Sequence, residues 1–188
     1  HVDSNSAVIA GGAFCVSTKH TLELLLADGS TVNGNRAGER GGALYAIGEE
    51  VPSFYNHFID ITITNASSMS HNVAKDNGGA IALNMHLESL NVVNGSSMSH
   101  NVAGQSGGAV SLEPHPCAMY FLDNGPRDRI CDTAKSILIS GFGRVWNNTA
   151  GVNGGAFYVW SGIIEMEVSA NGLLAGNTAQ NAGGAVHA

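Results

Sequence analysis

Residues 69–82 read MSHNVAKDNGGAIA, and the pattern within this stretch decides the fold. An Asn is followed two residues later by an Ala, then by three variable residues, Gly-Gly-Ala and an apolar residue. The pattern occurs six times, and the first Gly always lies six residues after the Asn. The six asparagines are Asn5, Asn35, Asn72, Asn101, Asn148 and Asn177. Their spacings of 30, 37, 29, 47 and 29 residues indicate a unit of about 29 residues with two insertions.

Apolar residues alternate with polar or small ones on both sides of the Gly-Gly-Ala triplet. In one copy, Ile61 and Ile63 flank Thr62 upstream, and Ile81 and Leu83 flank a small residue downstream. Such alternation is typical of strands with one buried face. A third short segment carries the Asn and an apolar residue three positions before it. Three short strands and three turns per unit predict an all-β fold, a right-handed parallel β-helix of about six coils.

Stacking explains why the Asn and the Gly-Gly pair recur. Parallel coils stack at about 4.8 Å, so each position of the repeat becomes a column along the rod. An inward Asn at a turn can bond to its own turn backbone and to the Asn of the next coil. The glycines permit backbone angles that a β-carbon forbids. The sequence therefore predicts an inward Asn ladder through a single domain, 1–188, with insertion loops at about 48–57 and 113–133.

Composition excludes several classes of protein. The 188 residues include 25 Gly and 18 Asn, yet 44% are apolar, which argues against both a helical bundle and a disordered chain. Eight basic residues against 15 acidic ones predict no nucleic-acid partner. No apolar run approaches the roughly 20 residues of a membrane-spanning helix, so no membrane span is expected in this segment.

The repeats resemble those of the polymorphic outer-membrane proteins of chlamydiae and of related algal and bacterial surface proteins. The family pairs Gly-Gly-Ala-[Ile/Leu/Val] with an upstream Phe-x-x-Asn, and the Phe position here holds Val, Met or Leu in all six copies. The resemblance runs from Val2 to Val186. It implies a rod that is secreted or displayed at the cell surface, in a family of adhesins and structural proteins. We therefore expect an extracellular or cell-surface location.

A predicted disulfide points to an oxidising compartment. Cys117 and Cys131 bracket the second insertion, and a disulfide there would stabilise the protein by about 3 kcal/mol. Two buried thiols are the alternative. Cys15 should face outward, either as an unpaired thiol or as a link to another chain. The sequons begin at Asn65, Asn94 and Asn147, and in a eukaryotic source we expect glycans, chiefly at the first two, which share one outward turn.

Chemistry-bearing residues do not assemble into a catalytic pattern in the sequence. Glu23 and Asp60 are the adjacent acids of one outward column, and no basic residue accompanies them. His71 and His100 share another column at about 5 Å, but a third metal ligand is missing. The Gly-Gly pairs open strands rather than helices, which is unlike a phosphate-binding loop. We expect no enzyme, no metal and no cofactor.

Two functions fit the sequence. The first is an extracellular structural rod that builds a surface fibre, filament or cell-wall layer. The repeat is in register from Val2 and ends just before Ala188 without a cap, so we expect end-to-end self-association or continuation in a longer rod. Candidate interface residues are Tyr158, Trp160, Trp146 and Cys15. The alternative is an adhesin or passenger domain that binds a ligand through its two insertion loops; a polysaccharide-active enzyme is less favoured.

Overall fold

The computed structural model describes residues 1–48, 58–113, 134–160 and 162–188. Within these ranges the secondary structure consists of 22 short strands in four parallel sheets. Each strand pairs with the equivalent strand of the neighbouring coil, so the chain winds as a right-handed parallel β-helix, which confirms the predicted fold. In the part of the chain described, no helix is both long and apolar enough to cross a bilayer.

The four sheets are numbered in the order in which the chain meets them. Sheet I contains Ser6–Ala7, Arg36–Ala37, Val73–Ala74, Val102–Ala103, Thr149–Ala150 and Thr178–Ala179. Sheet II contains Phe14–Thr18, Leu44–Gly48, Ile81–Asn84, Val110–Leu112, Phe157–Val159 and Val186–His187. Sheet III contains Leu22–Leu26, Phe58–Ile63, His86–Val92, Ala134–Ile139 and Ile163–Val168. Sheet IV contains Thr31–Asn33, Ser68–Ser70, Ser97–Ser99, Arg144–Trp146 and Leu173–Ala175.

Each coil therefore has four strands, and the prediction of three was wrong. The difference arises next to the Asn, which lies between a strand of sheet IV and a strand of sheet I. The residue before the Asn has a positive φ, for example 67° at Gly34, 58° at His71 and 54° at His100. A left-handed residue turns the chain sharply, so the third predicted segment splits into two short strands at a corner.

Apolar columns from sheets II, III and IV fill the interior. In sheet III, Ile63 pairs with Leu26 on one side and Val92 on the other, and all three side chains are buried. In sheet II, Val110 pairs with Ile81 and Phe157 in the same way. Burial of one such aliphatic side chain stabilises the fold by about 1.5–3 kcal/mol. The alternation read from the sequence thus describes one continuous core along the rod.

The two glycines of each pair have different roles. The first glycine has a left-handed backbone, with φ between 61° and 69° in all six copies. In the first five pairs the second glycine has no room for a side chain: a β-carbon at Gly79, for example, would lie 2.1 Å from the carbonyl oxygen of Gly108 in the next coil. Gly184, in the last coil, has room for one. The sequence predicted the need for unusual backbone angles, but only the stacked coils show the contact that excludes a β-carbon at the second position.

Candidate functional site: the Asn ladder and the outer face of sheet II

The six asparagines form a continuous inward ladder, as the sequence predicts. The Asn35 side-chain amide donates to Asn72 Oδ1 at 3.0 Å, and the same oxygen accepts the Asn35 backbone N–H at 3.0 Å. The Asn72 amide in turn donates to Asn101 Oδ1 at 3.0 Å and to the Val32 carbonyl at 2.9 Å. The pattern continues through Asn148. The asparagines at positions 35, 72, 101 and 148 are completely buried.

Each interior ladder amide is fully satisfied. Its oxygen accepts two hydrogen bonds from the preceding coil, and its NH2 group donates two, one to the next Asn and one to a backbone carbonyl. Every coil is thus fixed to both neighbours by side chains as well as by strand pairing. A fully satisfied buried polar network specifies one register and makes the stack rigid.

The two ends of the ladder are complementary. At the first coil, Asn5 donates to Asn35 Oδ1 at 2.9 Å, and among the described residues nothing donates to Asn5 Oδ1. At the last coil, Asn177 accepts from Asn148 at 2.9 Å and donates one hydrogen to the Val145 carbonyl at 3.0 Å. Its second amide hydrogen has no acceptor within the described ranges. A donor therefore remains at one end and an acceptor at the other.

The outer face of sheet II carries polar and aromatic side chains. Residue pairing places one column along it, in the order Cys15, Tyr45, Ala82, Ser111, Tyr158 and His187. Cys15 is exposed and forms no disulfide. Ala82 and Ser111 point away from the core yet are completely buried, which the sequence did not predict.

An ion pair spans this face across two coils. Arg40 Nε lies 3.1 Å from Glu113 Oε2, and the Glu113 residue is only 8% exposed. The Tyr45 side chain lies close to Arg40, and the Asn77 side chain lies close to Glu113. Arg40 belongs to the second coil and Glu113 to the fourth, so the ion pair joins coils that are not direct neighbours.

Three side chains of this region, Arg40, Glu113 and Tyr158, have shifted pKa values. Burial raises the pKa of the Glu113 carboxyl, and the Arg40 charge and the Asn77 hydrogen bond oppose that rise. The Glu113 charge raises the pKa of the Arg40 guanidinium. Burial, together with the Glu113 charge, raises the pKa of the Tyr158 hydroxyl.

Four buried polar atoms of this face lack a hydrogen bond. They are Arg40 Nε, Asn84 Oδ1, Ser111 Oγ and Glu113 Oε1. Arg40 Nε is close enough to Glu113 for an ion pair, but its N–H is not aimed at the carboxylate. Buried polar groups are nearly always paired, so four unpaired atoms in one region are unusual, although each of them is shielded from solvent. No motif in the sequence signals it, because the residues come from three coils.

Aromatic side chains border the same cluster. Tyr158 and His187 stack with ring centroids 5.5 Å apart and an interplanar angle of 7°. Trp160 is 63% exposed and lines, with these two rings, a shallow cleft of about 180 Å³. Trp146 lies elsewhere, on sheet IV, where its ring meets His100 edge-on at 4.6 Å. The structure thus groups Tyr158 with Trp160 but separates both from Trp146.

The histidine and acidic columns lie where the sequence places them. The His71 and His100 rings stack at 4.9 Å with an interplanar angle of 3°. Glu23 pairs with Asp60 across sheet III, and Ser89 donates to the Asp60 carboxylate at 2.6 Å. No group of three or more His, Cys, Asp or Glu side chains suited to a metal ion occurs in the described ranges.

The predicted modification sites have different surroundings. Asn65, Asn94 and Asn147 are exposed, with φ between 52° and 53°. The hydroxyl residue of the first two sequons is buried, since Ser67 is 1% and Ser96 0% exposed. Glycosylation at all three remains a prediction. Cys117, Cys131 and nearly all of both insertion loops lie outside the described residues, so the disulfide also remains a prediction.

Comparison with known proteins finds one family. No curated protein and no solved structure matches the chain. Residues 29–47, which contain Asn35 and the following Gly-Gly-Ala-Leu, match the repeat of the Chlamydia polymorphic membrane proteins. Such a repeat is consistent, at a coarse level, with a surface location. The chain is therefore a parallel β-helix with one segment that matches, and stacked coils that resemble, the repeat of the Chlamydia polymorphic membrane proteins.

Proposed function

We propose that this chain is a non-catalytic structural rod at the outside of a cell, where it builds a fibre, filament or wall layer. The observation that carries the proposal is the Asn ladder, which joins all six coils through the same set of hydrogen bonds. A rod of this kind resists bending because every coil is bonded to its neighbours by four sheets and by buried side chains. The matched membrane-protein repeat supports the surface location.

The same geometry gives the rod a means of growth. The unpaired amide hydrogen of Asn177 can donate to the next Asn of a further coil, and the unpaired Oδ1 of Asn5 can accept from a preceding one. A further coil can therefore bond to either end in the way that the interior coils bond to each other. That coil can belong to the same polypeptide or to a second copy. Contact between opposite ends is a head-to-tail interface, which produces open filaments rather than closed dimers. The terminal strand Val186–His187 would pair with the incoming coil.

Electron microscopy of a terminal-strand variant tests this function. Val186→Pro removes a strand N–H and should abolish filaments while the circular dichroism of the folded coils is retained. Leu25→Ser is the matched control, because Leu25 is 58% exposed on the side of sheet III and should leave filaments intact. A wild-type protein that stays monomeric at all concentrations contradicts the proposal, as do long filaments of a folded Val186→Pro variant.

The adhesin function has one specific observation in its favour. The insertion loops lie almost wholly outside the described residues, but the outer face of sheet II presents an exposed Trp160 beside the Glu113 cluster. Exposed aromatic rings frequently anchor ligands. Binding of monomeric rods to cells, with no filaments in the micrographs, would favour the adhesin over the fibre.

A further inference from the structure

We propose that Asn147 is the residue at which the folded rod accepts an N-linked sugar, and that Asn65 and Asn94 do not accept one after folding. All three residues begin an Asn-x-Ser/Thr sequon, and the sequence favours the first two because they share one outward turn. The surroundings of the three sequons in the fold favour the opposite order. The inference goes beyond the structural function and does not depend on whether the rods self-associate.

The hydroxyl of the third sequon residue separates the three sites. A glycosyltransferase that recognises the sequon must reach this hydroxyl as well as the asparagine amide. Ser67 and Ser96 are buried, whereas Thr149 is exposed. Ser96 Oγ donates to the carbonyl of Ile63 in the neighbouring coil at 2.6 Å, and Ser67 Oγ accepts the backbone N–H of Ser30 at 3.2 Å. In the first two sequons the hydroxyl is therefore part of the bonding between coils and is closed to an enzyme.

The third sequon is presented at a corner of the rod. Asn147 is exposed at the left-handed corner between sheets IV and I, with φ of 53°, and Thr149 begins the next strand of sheet I. The residue between them, Asn148, is buried in the ladder. Thr149 Oγ1 accepts from Thr178 Oγ1 at 3.3 Å, and no described residue accepts its own hydrogen. Both recognition groups of this sequon are thus open to solvent while the residue between them points inward.

The amide nitrogen that would carry the sugar is also least engaged at Asn147. Asn65 Nδ2 donates to Asp28 Oδ1 at 3.0 Å, and Asn94 Nδ2 donates to a threonine hydroxyl of the preceding coil at 3.1 Å. Asn147 Nδ2 lies 3.5 Å from His100 Nε2, at the outer limit for a hydrogen bond. Modification of the first two asparagines would have to break a contact between coils that is shorter than this one.

Neighbouring coils leave more room beside the third site. The equivalent position after Asn147 is Gly176, which carries no side chain. Asn65 and Asn94 instead occupy equivalent positions of adjacent coils, about 4.8 Å apart, so a sugar on either would crowd the other.

The reaction is the transfer of a glycosyl group from a nucleoside diphosphate sugar. Asn147 Nδ2 forms a bond to the anomeric carbon, and the bond from that carbon to the phosphate oxygen breaks. The nucleoside diphosphate leaves, and the amide proton passes to a base of the transferase. The product keeps one amide hydrogen, and the ladder bonds of Asn148 are not changed.

Glucosylation of the folded chain in vitro tests the site. The unmodified full chain is incubated with UDP-glucose and a soluble transferase that modifies synthetic peptides of all three sequons. Peptide mapping by mass spectrometry gives the rate at each site, and division by the rate of the matching peptide removes any preference of the enzyme for Thr over Ser. This ratio should be at least about tenfold higher at Asn147 than at Asn65 and Asn94, because the release of a buried hydroxyl opposes modification at the other two.

Two variants show whether the exposed hydroxyl is responsible. Thr149→Ala should abolish modification of Asn147. Thr178→Ala is the matched control, because it removes the neighbouring hydroxyl of the same column and should leave the rate unchanged. Circular dichroism verifies that each sample is folded. Equal ratios at the three sites, an unmodified Asn147 in the folded chain, or continued modification of Asn147 in Thr149→Ala would overturn the proposal.

Discussion

An Asn→Ala substitution in the interior of the Asn ladder should destabilise the protein far more than the same substitution at the end of the ladder. Asn101→Ala removes four buried side-chain hydrogen bonds. Asn101 Oδ1 accepts two of them from Asn72, at 3.0 Å each, and the Asn101 amide donates the other two, to the Met69 carbonyl at 3.0 Å and to Asn148 Oδ1 at 2.9 Å. The two N–H groups of Asn72 and the Met69 carbonyl each lose a partner. At about 1–3 kcal/mol for each unpaired group, and with incomplete additivity, we expect a loss of about 3–5 kcal/mol in the free energy of unfolding.

Asn5→Ala is the matched comparison. Asn5 is exposed and donates to Asn35 Oδ1 from its side chain, but water can replace that bond, so the expected loss is below about 1 kcal/mol. Urea unfolding followed by circular dichroism measures both variants. In thermal unfolding the interior variant should melt roughly 6–20 °C lower, and the end variant within about 4 °C of the wild type. Equal losses in the two variants would refute the inward ladder as a stabilising network.

Three further predictions concern other parts of the fold. Gly79→Ala should lose at least about 3 kcal/mol of unfolding free energy in urea, because its β-carbon would lie 2.1 Å from the Gly108 oxygen. Gly95→Ala is the control: its β-carbon would meet open space, and the φ of 75° alone should cost about 1–2 kcal/mol. Equal losses in the two variants would contradict this packing. Because burial raises the pKa of Glu113, the folded state binds the carboxyl proton more tightly than the unfolded state does. The free energy of unfolding of the wild type should therefore fall as the pH rises from the ordinary glutamate pKa to the raised pKa of Glu113. Glu113→Gln should lack this component in urea titrations across the acidic range, and identical pH profiles would contradict it. Peptide mapping without reductant should recover Cys117 linked to Cys131, and free thiols at both positions would exclude the predicted bridge.

The sequence predicts columns well because every coil obeys the same spacing. The register of sheet III, which pairs Glu23 with Asp60 and Ile61 with Leu24, follows directly from counting residues back from the Asn. The stacked His71 and His100 rings follow in the same way. A column needs only the period of the repeat, and the insertions leave the period on either side intact.

Contacts between residues at different positions of the repeat could not be predicted from the sequence. The contact of Arg40 with Glu113 joins residues that occupy different positions of the repeat and lie two coils apart. The complete burial of the outward Ser111 likewise does not follow from the alternation of its strand. The corner before each Asn has no sequence signature, because its left-handed residue is Ser, Gly, His or Asn in different coils.

Helical reconstruction of assembled rods by electron cryomicroscopy tests the central claim most directly. If copies join as the interior coils do, each subunit adds six coils at about 4.8 Å, and the filament should show an axial rise of about 29 Å with the Asn column continuous from Asn177 to Asn5 of the next copy. A filament whose rise does not fit six stacked coils, or whose subunits meet side by side with the ladder interrupted, would contradict the account.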